Sequence, residues 1–314
     1  MERHLFQTGQ TELHGSLVAL NSMQARMREN HASGLIEVRV GASRQIMVVY
    51  ANGAQAGIYL LENDRSRPFH LAELSTLWGG APFSVSMVNL PDRAGRAIWM
   101  IAESQRRDEF EIHSTAEWNA RLEEWKQEKF NGAVEVTSKS LQGFIVLKNG
   151  LAADTESVFF NGQGFENQLP PEFDTVETWK VSSYVPPSAV GSWQCFLLRS
   201  SAAQWMGAIL SRFGSIAGAK FLGVVEKEIE SLIQPWRWRI SVSGAAVADE
   251  HFFPSAESAA HAYRALLMGM GAQMGFVIGS AMTQRILSEN FDELIPQERA
   301  VLEAYRLIPA AFTH

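Results

Sequence analysis

The stretch that decides the fold is SGLIEV at Ser33–Val38, followed by VVYANG at Val48–Gly53. From Leu35 to Val40 successive residues face opposite ways, with Leu35, Glu37 and Arg39 on one side and Ile36, Val38 and Val40 on the other, which is typical of a β-strand. The second segment ends in Asn-Gly, and both residues tolerate the positive φ that a two-residue hairpin turn requires. The sequence therefore predicts antiparallel strands on either side of Asn52-Gly53.

The same patterns return almost one hundred residues later, as NGAVEV at Asn131–Val136 and IVLKNG at Ile145–Gly150. A third pair of similar segments is Phe83–Pro91 and Trp179–Pro187. The offset drifts only from 98 residues, between Ser33 and Asn131, to 96 residues, between Phe83 and Trp179. We therefore predict that one β-rich module occurs twice, as an internal repeat.

The pattern of elements predicts an α+β fold with two small β-sheet-plus-helix modules and a mainly α-helical C-terminal domain. We place the first module at residues 1–103, its degenerate second copy at 104–188 and the helical domain at 189–314. Ser114 with Glu117 three residues later forms a capping box for a helix in the second copy. In the helical domain, Ser255 caps a helix from about Ala256 to Glu289.

Composition narrows the class of protein. Apolar residues make up 46% of the 314 residues and charged residues 19%, which is typical of a folded globular chain. A net charge of −7 argues against non-specific nucleic-acid binding, which depends on Lys and Arg contacts to phosphates. The single Cys195 excludes an internal disulfide and a thiolate zinc site, and its apolar neighbours predict a buried thiol. Met1–His4 lacks the build of a signal peptide, so we predict a cytoplasmic protein.

One uncharged segment bears on membrane contact. Ala265–Gln284 carries no formal charge and is long enough to span a bilayer. Its four glycines, two glutamines, Ser280 and Thr283 dilute that hydrophobicity, so we predict a helix buried in protein. Gly271, Gly275 and Gly279 recur every four residues and would form a flat stripe on which another helix can approach closely.

The repeated module resembles a known family. The resemblance rests on Gly15-Ser16-Leu17, on Ser33–Val38, on Val48–Gly53, on Ala72–Trp78 and on Gly80–Val85, in that order. This pattern is similar to the amino-terminal domain of the cyanobacterial regulator PatA, also called domain of unknown function 4388.

The resemblance covers roughly residues 13–91 and, more loosely, 114–187. The second copy lacks the Gly-x-Leu start and the leucine-rich helix before its closing strand. The resemblance implies a non-catalytic module of bacterial signalling proteins that control surface motility or cell differentiation. It implies no catalytic residues and no cofactor.

Few residues suggest chemistry. The run Gly214–Lys220 does not have the spacing of a phosphate-binding loop, and Phe221 stands where Ser or Thr would hold magnesium. Asp249-Glu250-His251 is the densest acid–histidine cluster, with His261 as the nearest further ligand. We interpret this cluster as a surface turn, and we predict no metal site and no enzyme activity. An enzyme whose catalytic site is assembled from residues far apart in the sequence is a further hypothesis, beside the adaptor and the sensor described below.

The nine tryptophans are a stronger signal, because dense aromatic residues fill a core or form a protein interface. Trp236-Arg237-Trp238-Arg239 alternates aromatic and cationic residues, so a strand here would present Trp on one face and Arg on the other. We take as candidate interface residues this group and the glycine stripe: Trp236, Arg237, Trp238, Arg239, Gly271, Gly275 and Gly279.

Two functions follow from these observations. The first is a signalling adaptor or scaffold that binds protein partners through its modules and oligomerises or docks through its helical domain. The alternative is a sensor with a small-molecule or nucleotide pocket in the helical domain or between the modules. The sequence identifies neither the partner nor the oligomeric state.

Overall fold

The computed structural model describes residues 10–12, 16–41, 44–62, 65–74, 83–139, 141–153, 156–161, 164–166 and 178–308. The chain divides into two compact units, Met1–Val190 and Gly191–His314. Antiparallel sheets occupy the first unit and helices dominate the second, so the predicted α+β class is confirmed.

The first unit begins with an antiparallel sheet. The strands described in it are β1 (Gln10–Glu12), β2 (Gly34–Val40), β3 (Arg44–Ala51), β4 (Ala54–Glu62), β5 (Arg65–Pro68) and β6 (Phe83–Asn89). Their order across the sheet is β1-β6-β2-β3-β4-β5. The sequence His70–Leu77 predicts a short helix, but Leu71–Glu73 form only a 3-10 turn, and residues 75–77 lie outside the described residues.

Helix α1 (Leu17–Glu29) covers one face of this sheet. It begins where the Ser16 hydroxyl accepts a hydrogen bond from the Ala19 amide at 3.0 Å, which satisfies one of the open N–H groups at the helix start. Apolar side chains three or four residues apart face the sheet and are buried there: Leu20, Met23 and Met27 from the helix, with Ile36, Val38, Ile46 and Val48 from the strands.

A second antiparallel sheet follows. It contains β7 (Gln105–Ile112), β8 (Gly132–Thr137), β9 (Gln142–Lys148), β10 (Leu151–Ala152), β11 (Val158–Phe160), β12 (Phe165–Glu166) and β13 (Trp179–Val185). Their order is β12-β11-β9-β8-β13-β7, and β10 also pairs with β9. The sequence predicts an irregular loop at residues 161–175 in place of the short helix of the first module, and much of this range lies outside the described residues.

Helix α3 (Thr115–Gln127) packs on this sheet through aromatic residues. The predicted cap is confirmed, because the Ser114 hydroxyl accepts from the Glu117 amide at 3.2 Å. The Trp118 and Trp125 rings meet edge to face with centroids 6.0 Å apart, and Phe130 stacks on Trp125 at 5.9 Å. Such pairs add to the energy of apolar burial.

The two sheets share a strand order. Strands β1-β6-β2-β3-β4 of the first correspond to β7-β13-β8-β9-β10 of the second. Both predicted hairpin turns are confirmed, with φ of 49° at Asn52 and 53° at Asn149. The amide of Asn52 donates to Ser33 Oγ at 3.0 Å, and the amide of Asn149 donates to Asn131 Oδ1 at 2.9 Å. Ser33 and Asn131 are the first residues of the two similar segments, so equivalent positions have equivalent contacts.

Helix α2 (Asp92–Glu103) contacts strands of both sheets, namely β2 to β5 and β8 to β9. It is buried along most of its length. Trp99 Nε1 donates to Tyr59 Oη at 2.8 Å, and Tyr59 Oη donates in turn to Glu103 Oε1 at 2.7 Å. Neither α2 nor the charged strand β7 follows from the sequence patterns above.

The second unit is built around a long helix, α4 (Gly191–Ala217), which contacts all the other described helices of the unit. The remaining elements are α5 (Ala219–Ile233), β14 (Ile240–Ser243), β15 (Ala246–Asp249), α6 (Ala256–Ile278), α7 (Ser280–Asp292) and α8 (Pro296–Ala304). Large side chains fill its core, among them Trp205, Phe213, Phe252 and Tyr263.

The helix predicted over Ala256–Glu289 is in fact two helices. Ser255 caps α6 as expected, by accepting from the Ser258 amide at 3.2 Å. Gly279 then has a φ of 83°, which a continuing right-handed helix cannot accommodate, so α7 starts anew. The uncharged segment 265–284 is thereby divided between two helices. No helix among the described residues is long and apolar enough to cross a membrane.

Candidate protein-interaction site

The segment Gln234–Arg239 forms a turn rather than the predicted strand. Gln234–Trp236 is a single 3-10 turn that follows α5, and Arg237 has a left-handed φ of 54°. The Arg237 amide closes this turn on the Gln234 carbonyl at 3.2 Å. Strand β14 begins only at Ile240, so the expectation of Trp on one strand face and Arg on the other is wrong.

The turn brings the two tryptophans together. The rings of Trp236 and Trp238 stack with centroids 5.8 Å apart and only 11° between their planes. The His261 ring, from α6, meets Trp236 edge-on at 6.2 Å. Trp236 nevertheless remains 62% exposed, and Arg237 and Arg239 are also exposed. We name Trp236, Arg237, Trp238, Arg239 and His261 the tryptophan–arginine surface.

Buried aromatic residues support this surface from below. Trp238 is half-buried and lies 6.5 Å from Phe253, centroid to centroid. Phe253 in turn contacts the His251 ring edge-on at 4.4 Å, and both are buried. Trp236 is therefore held in place by a ring that is itself packed on the core, so it loses little conformational freedom when it binds a partner.

A buried polar network anchors the segment that carries these aromatic residues. Asp249, at the end of β15, accepts hydrogen bonds on one carboxylate oxygen from Arg199 Nε and from Tyr263 Oη, both at 2.8 Å. Its second oxygen accepts from the His251 amide at 2.9 Å. Arg199 Nη2 also donates to the Asp249 carbonyl at 3.0 Å. The network ties α4, β15 and α6 together.

Burial sets the protonation of Tyr263 in this network. Desolvation raises the pKa of its hydroxyl well above the ordinary value, and the adjacent Asp249 carboxylate raises it further. The hydroxyl therefore stays protonated and keeps donating to Asp249. Because Asp249 is nearly buried and its carboxylate accepts three hydrogen bonds, its role is to position the chain.

The interpretation of Asp249-Glu250-His251 as a surface turn is wrong for two of its residues. Asp249 and His251 are buried, and only Glu250 is exposed. Across the described part of the chain, no group of three or more His, Cys, Asp or Glu side chains is placed to hold a metal ion.

Sequence reasoning missed Arg199 and Tyr263. A lone Arg in the apolar run Trp193–Met206 was the available signal, since such a charge needs a buried partner.

The predicted glycine stripe is not where α6 approaches α5 most closely. Gly271 and Gly275 belong to the C-terminal half of α6, and Gly279 ends it. A Cβ added at Gly275 or Gly279 would meet no atom within 4 Å. The close approach is at Gly269, where an added Cβ would collide with Leu232 of α5. The expectation of a buried helix is therefore correct only for the inner face of α6.

Two other sequence interpretations concern the second unit. Cys195 is buried as predicted, and its thiol donates to the Ser255 carbonyl at 3.7 Å. Gly214, near the end of α4, lies close to the next helix, since a Cβ added there would be 3.2 Å from the Leu222 side chain of α5. The chain breaks its helix at Gly218, with a φ of 90°, and no strand precedes this turn among the described residues of the unit.

The first unit also buries titratable side chains, and these form hydrogen bonds with side chains on strands of the same sheet. Glu135 on β8 accepts from Gln142 Nε2 at 2.8 Å and from Tyr184 Oη at 3.0 Å. Burial raises the pKa of the Tyr184 hydroxyl, and the Glu135 charge raises it further. Glu37, the equivalent residue on β2, is likewise buried and bonds Arg39 at 2.8 Å. The Glu135 contacts join β8 to β9 and to β13, whereas Glu37 and Arg39 both belong to β2.

No protein-family model, curated protein or solved structure matches this chain. The similarity of the modules to the PatA amino-terminal domain therefore stays a prediction.

Proposed function

We propose that this chain is a non-catalytic adaptor that binds a protein partner through the tryptophan–arginine surface. The observation that carries the proposal is a large aromatic side chain, Trp236, that is mostly exposed and stacks on the half-buried Trp238. Trp and Arg supply much of the binding energy in protein interfaces, and rigid aromatic residues do so at a low entropic cost.

The chemistry of the surface suggests the chemistry of the partner. Trp236 requires an apolar pocket or ring that covers it, and Arg237 and Arg239 favour carboxylates around that pocket. We therefore propose a partner surface with an apolar depression bordered by Asp or Glu.

The two sheets of the first unit support the adaptor interpretation in a second way. Their common strand order and equivalent turn contacts are what duplication of one ancestral module would produce. We propose that origin, and with it a scaffold of two related modules. Signalling in the bacterial cytoplasm, in control of motility or differentiation, is implied by the resemblance alone and stays a prediction.

The test is affinity capture of partners with the wild-type full chain and three single-residue variants of it. Trp236→Ala removes the exposed ring, whereas Leu151→Ala removes an exposed apolar side chain from the first unit and serves as the matched control. We expect a protein captured stoichiometrically by wild type and Leu151→Ala, and lost with Trp236→Ala and Arg237→Glu. Equal capture by all four proteins, or capture of none, would contradict the proposal.

A further inference from the structure

Two glycines divide the helices of the second unit in the same way. Gly218 alone separates α4 from α5, with φ 90° and ψ 161°, and Gly279 alone separates α6 from α7, with φ 83° and ψ 152°. Backbone with these angles is essentially restricted to glycine. Because φ and ψ are the only soft angles of a residue, nearly equal values direct α5 away from α4 as they direct α7 away from α6.

The backbone hydrogen bonds around the two breaks also correspond. The amide of each break glycine donates to the carbonyl four residues earlier, which is Gly214 at 2.9 Å and Gly275 at 3.0 Å. The carbonyl of each break glycine accepts from the amide four residues later, which is Leu222 at 3.2 Å and Thr283 at 3.1 Å. Each of these residues in the second pair of helices lies 61 positions after its counterpart in the first.

One difference in packing follows from this correspondence. A Cβ added at Gly214 would be 3.2 Å from the Leu222 side chain, whereas a Cβ added at Gly275 would meet no atom within 4 Å. The counterpart of Leu222 is Thr283, whose shorter side chain does not reach the glycine. The two breaks therefore share a backbone path and differ in one side chain.

The pattern of burial agrees at the same offset. All nine residues buried in α6 lie 61 positions after a residue that is buried in α4. The residues buried in α5 have buried counterparts as well: Val225 with Ile286, Ile229 with Asn290, and Ile233 with Leu294. The glycines fix the offset independently of burial, so this agreement is a separate observation.

The correspondence continues through the turn after α5 and the turn after α7. In each, the second residue is proline. The Arg237 amide donates to the Gln234 carbonyl at 3.2 Å, and the Glu298 amide, 61 positions later, donates to the Ile295 carbonyl at 3.0 Å. Equivalent backbone contacts therefore extend from the helix breaks to these two turns.

Beyond these turns the two halves diverge. Arg237 has a left-handed φ of 54°, whereas its counterpart continues as helix α8. The counterparts of the stacked Trp236 and Trp238 are Gln297 and Arg299, which both belong to that helix. The tryptophan–arginine surface thus begins where the similarity of the two halves ends.

We propose that the helical unit is a duplication of one helix–break–helix motif, with copies at residues 195–237 and 256–298, and that it binds one partner molecule per chain at the point where the copies diverge. A duplicated scaffold with equivalent surfaces would take up two partners. Only the first copy carries stacked indoles, so one surface remains. The second part of the proposal rests on the proposed function.

The first test measures the two copies without a partner. In a Cys195→Ser background, spin labels at the exposed Ser211 and Ser231 report the distance between α4 and α5, and labels at the exposed Ala272 and Asp292 report the equivalent distance between α6 and α7. We expect the two mean distances, from electron–electron double resonance, to agree because the two breaks have the same geometry.

A pair out of register is the matched control. Labels at Ala272 and the exposed Ser288 shift one label by a single turn of α7, about 5.4 Å along its axis. Their distance should depart from that of Ser211 and Ser231. Agreement with Ser211 and Ser231 that is no better for Asp292 than for Ser288 would overturn the duplication.

The second test counts partner molecules. Native mass spectrometry of the full chain with the protein captured by wild type should show one partner per chain. Trp236→Gln, which gives the first copy the residue of the second, should abolish capture, whereas Gln297→Trp should leave the count at one. Two partners per chain, or capture by Trp236→Gln, would overturn the binding part. Capture of no protein would contradict the proposed function itself, and the label distances would still decide the duplication.

Discussion

Arg96 Nε lies 2.6 Å from Glu156 Oε2, and both side chains are almost completely buried. Arg96 belongs to α2, and Glu156 precedes β11 of the second sheet. This ion pair therefore joins α2, the helix that contacts both sheets, to the second sheet. Charges removed from water are stable only while they remain paired, so the contact commits α2 to one position.

Breaking this pair from one side should destabilise the first unit strongly. Arg96→Met leaves Glu156 buried without its cation, and we expect a loss of about 3–5 kcal/mol in the free energy of unfolding, measured in urea. Arg44→Met breaks the exposed pair of Arg44 and Glu62 and should cost less than about 1 kcal/mol. Similar losses for the two variants would show that Arg96 is not held as described.

Two glycines with a positive φ, Gly150 and Gly41, allow a graded test of backbone strain. Gly150 has a φ of 76°, and an added Cβ would collide with the backbone of Trp125 and Lys126. Gly150→Ala should therefore cost about 2–5 kcal/mol, the sum of left-handed strain and a clash that the backbone cannot easily relieve.

Gly41→Ala is the matched control for that substitution. Gly41 has a φ of 63°, but an added Cβ would meet no atom within 4 Å. Strain alone should cost about 1–2 kcal/mol. Equal losses at Gly41 and Gly150, from urea unfolding curves, would mean that the helix-to-turn contact at Gly150 does not constrain the chain.

The equivalence of Ser33 and Asn131 can be tested by exchanging them. If the two backbones follow the same path, Asn131→Ser keeps an acceptor for the Asn149 amide and should change stability by less than about 0.5 kcal/mol. Asn131→Ala removes the acceptor and should cost about 1–2 kcal/mol. Ser33→Asn and Ser33→Ala are the reciprocal pair. Unfolding curves in which Ser and Ala at position 131 are equally destabilising would argue against a common path.

Tyr263 should make stability depend on alkaline pH. In the unfolded chain its hydroxyl ionises at the ordinary pKa of about 10, whereas burial raises the folded-state pKa well above that value. Its contribution is therefore complete below about pH 10 and declines above it, by up to about 1.4 kcal/mol per pH unit.

Tyr263→Phe removes that titration. The stability advantage of wild type over this variant should be constant between about pH 7 and 9, and should shrink between about pH 10 and 11. Urea unfolding at each pH measures it. A difference that stays constant throughout this range would show that the hydroxyl ionises equally in the folded and unfolded chains.

Some elements were predictable from the sequence because their signals are local. Asn52-Gly53 and Asn149-Gly150 form turns because their own φ preferences favour it, and Ser114 and Ser255 cap helices because their hydroxyls reach an amide three residues away. None of these outcomes depends on distant parts of the chain.

Two elements escaped prediction for different reasons. Helix α2 follows Pro91, a usable start signal, but it is buried nearly all round, Asp92 and Arg96 included, whereas its polar side would ordinarily face solvent. Strand β7 carries charges of both signs and little β propensity. It is a strand because it pairs with β13, and edge strands commonly carry such charges.

The candidate site was also only partly predictable from local sequence patterns. The alternation of Trp and Arg at 236–239 was visible in the sequence, but Arg237 adopts a left-handed turn after the 3-10 turn, which stacks the two indoles. That Trp236 is exposed while Trp205 is buried depends on which helices cover each, and composition does not encode it.

The amino-acid sequence by itself determined the α+β class, the two hairpin turns, the capped helix starts and the uncharged length of 265–284. Tertiary structure decided that Asp249 pairs with Arg199 and Tyr263, that α2 contacts both sheets, and that Phe276 faces solvent. The physical reason is that these interactions act over different separations along the chain. A turn or cap minimises the free energy of a few adjacent residues, whereas burial and ion pairing depend on segments that approach only when the whole chain folds.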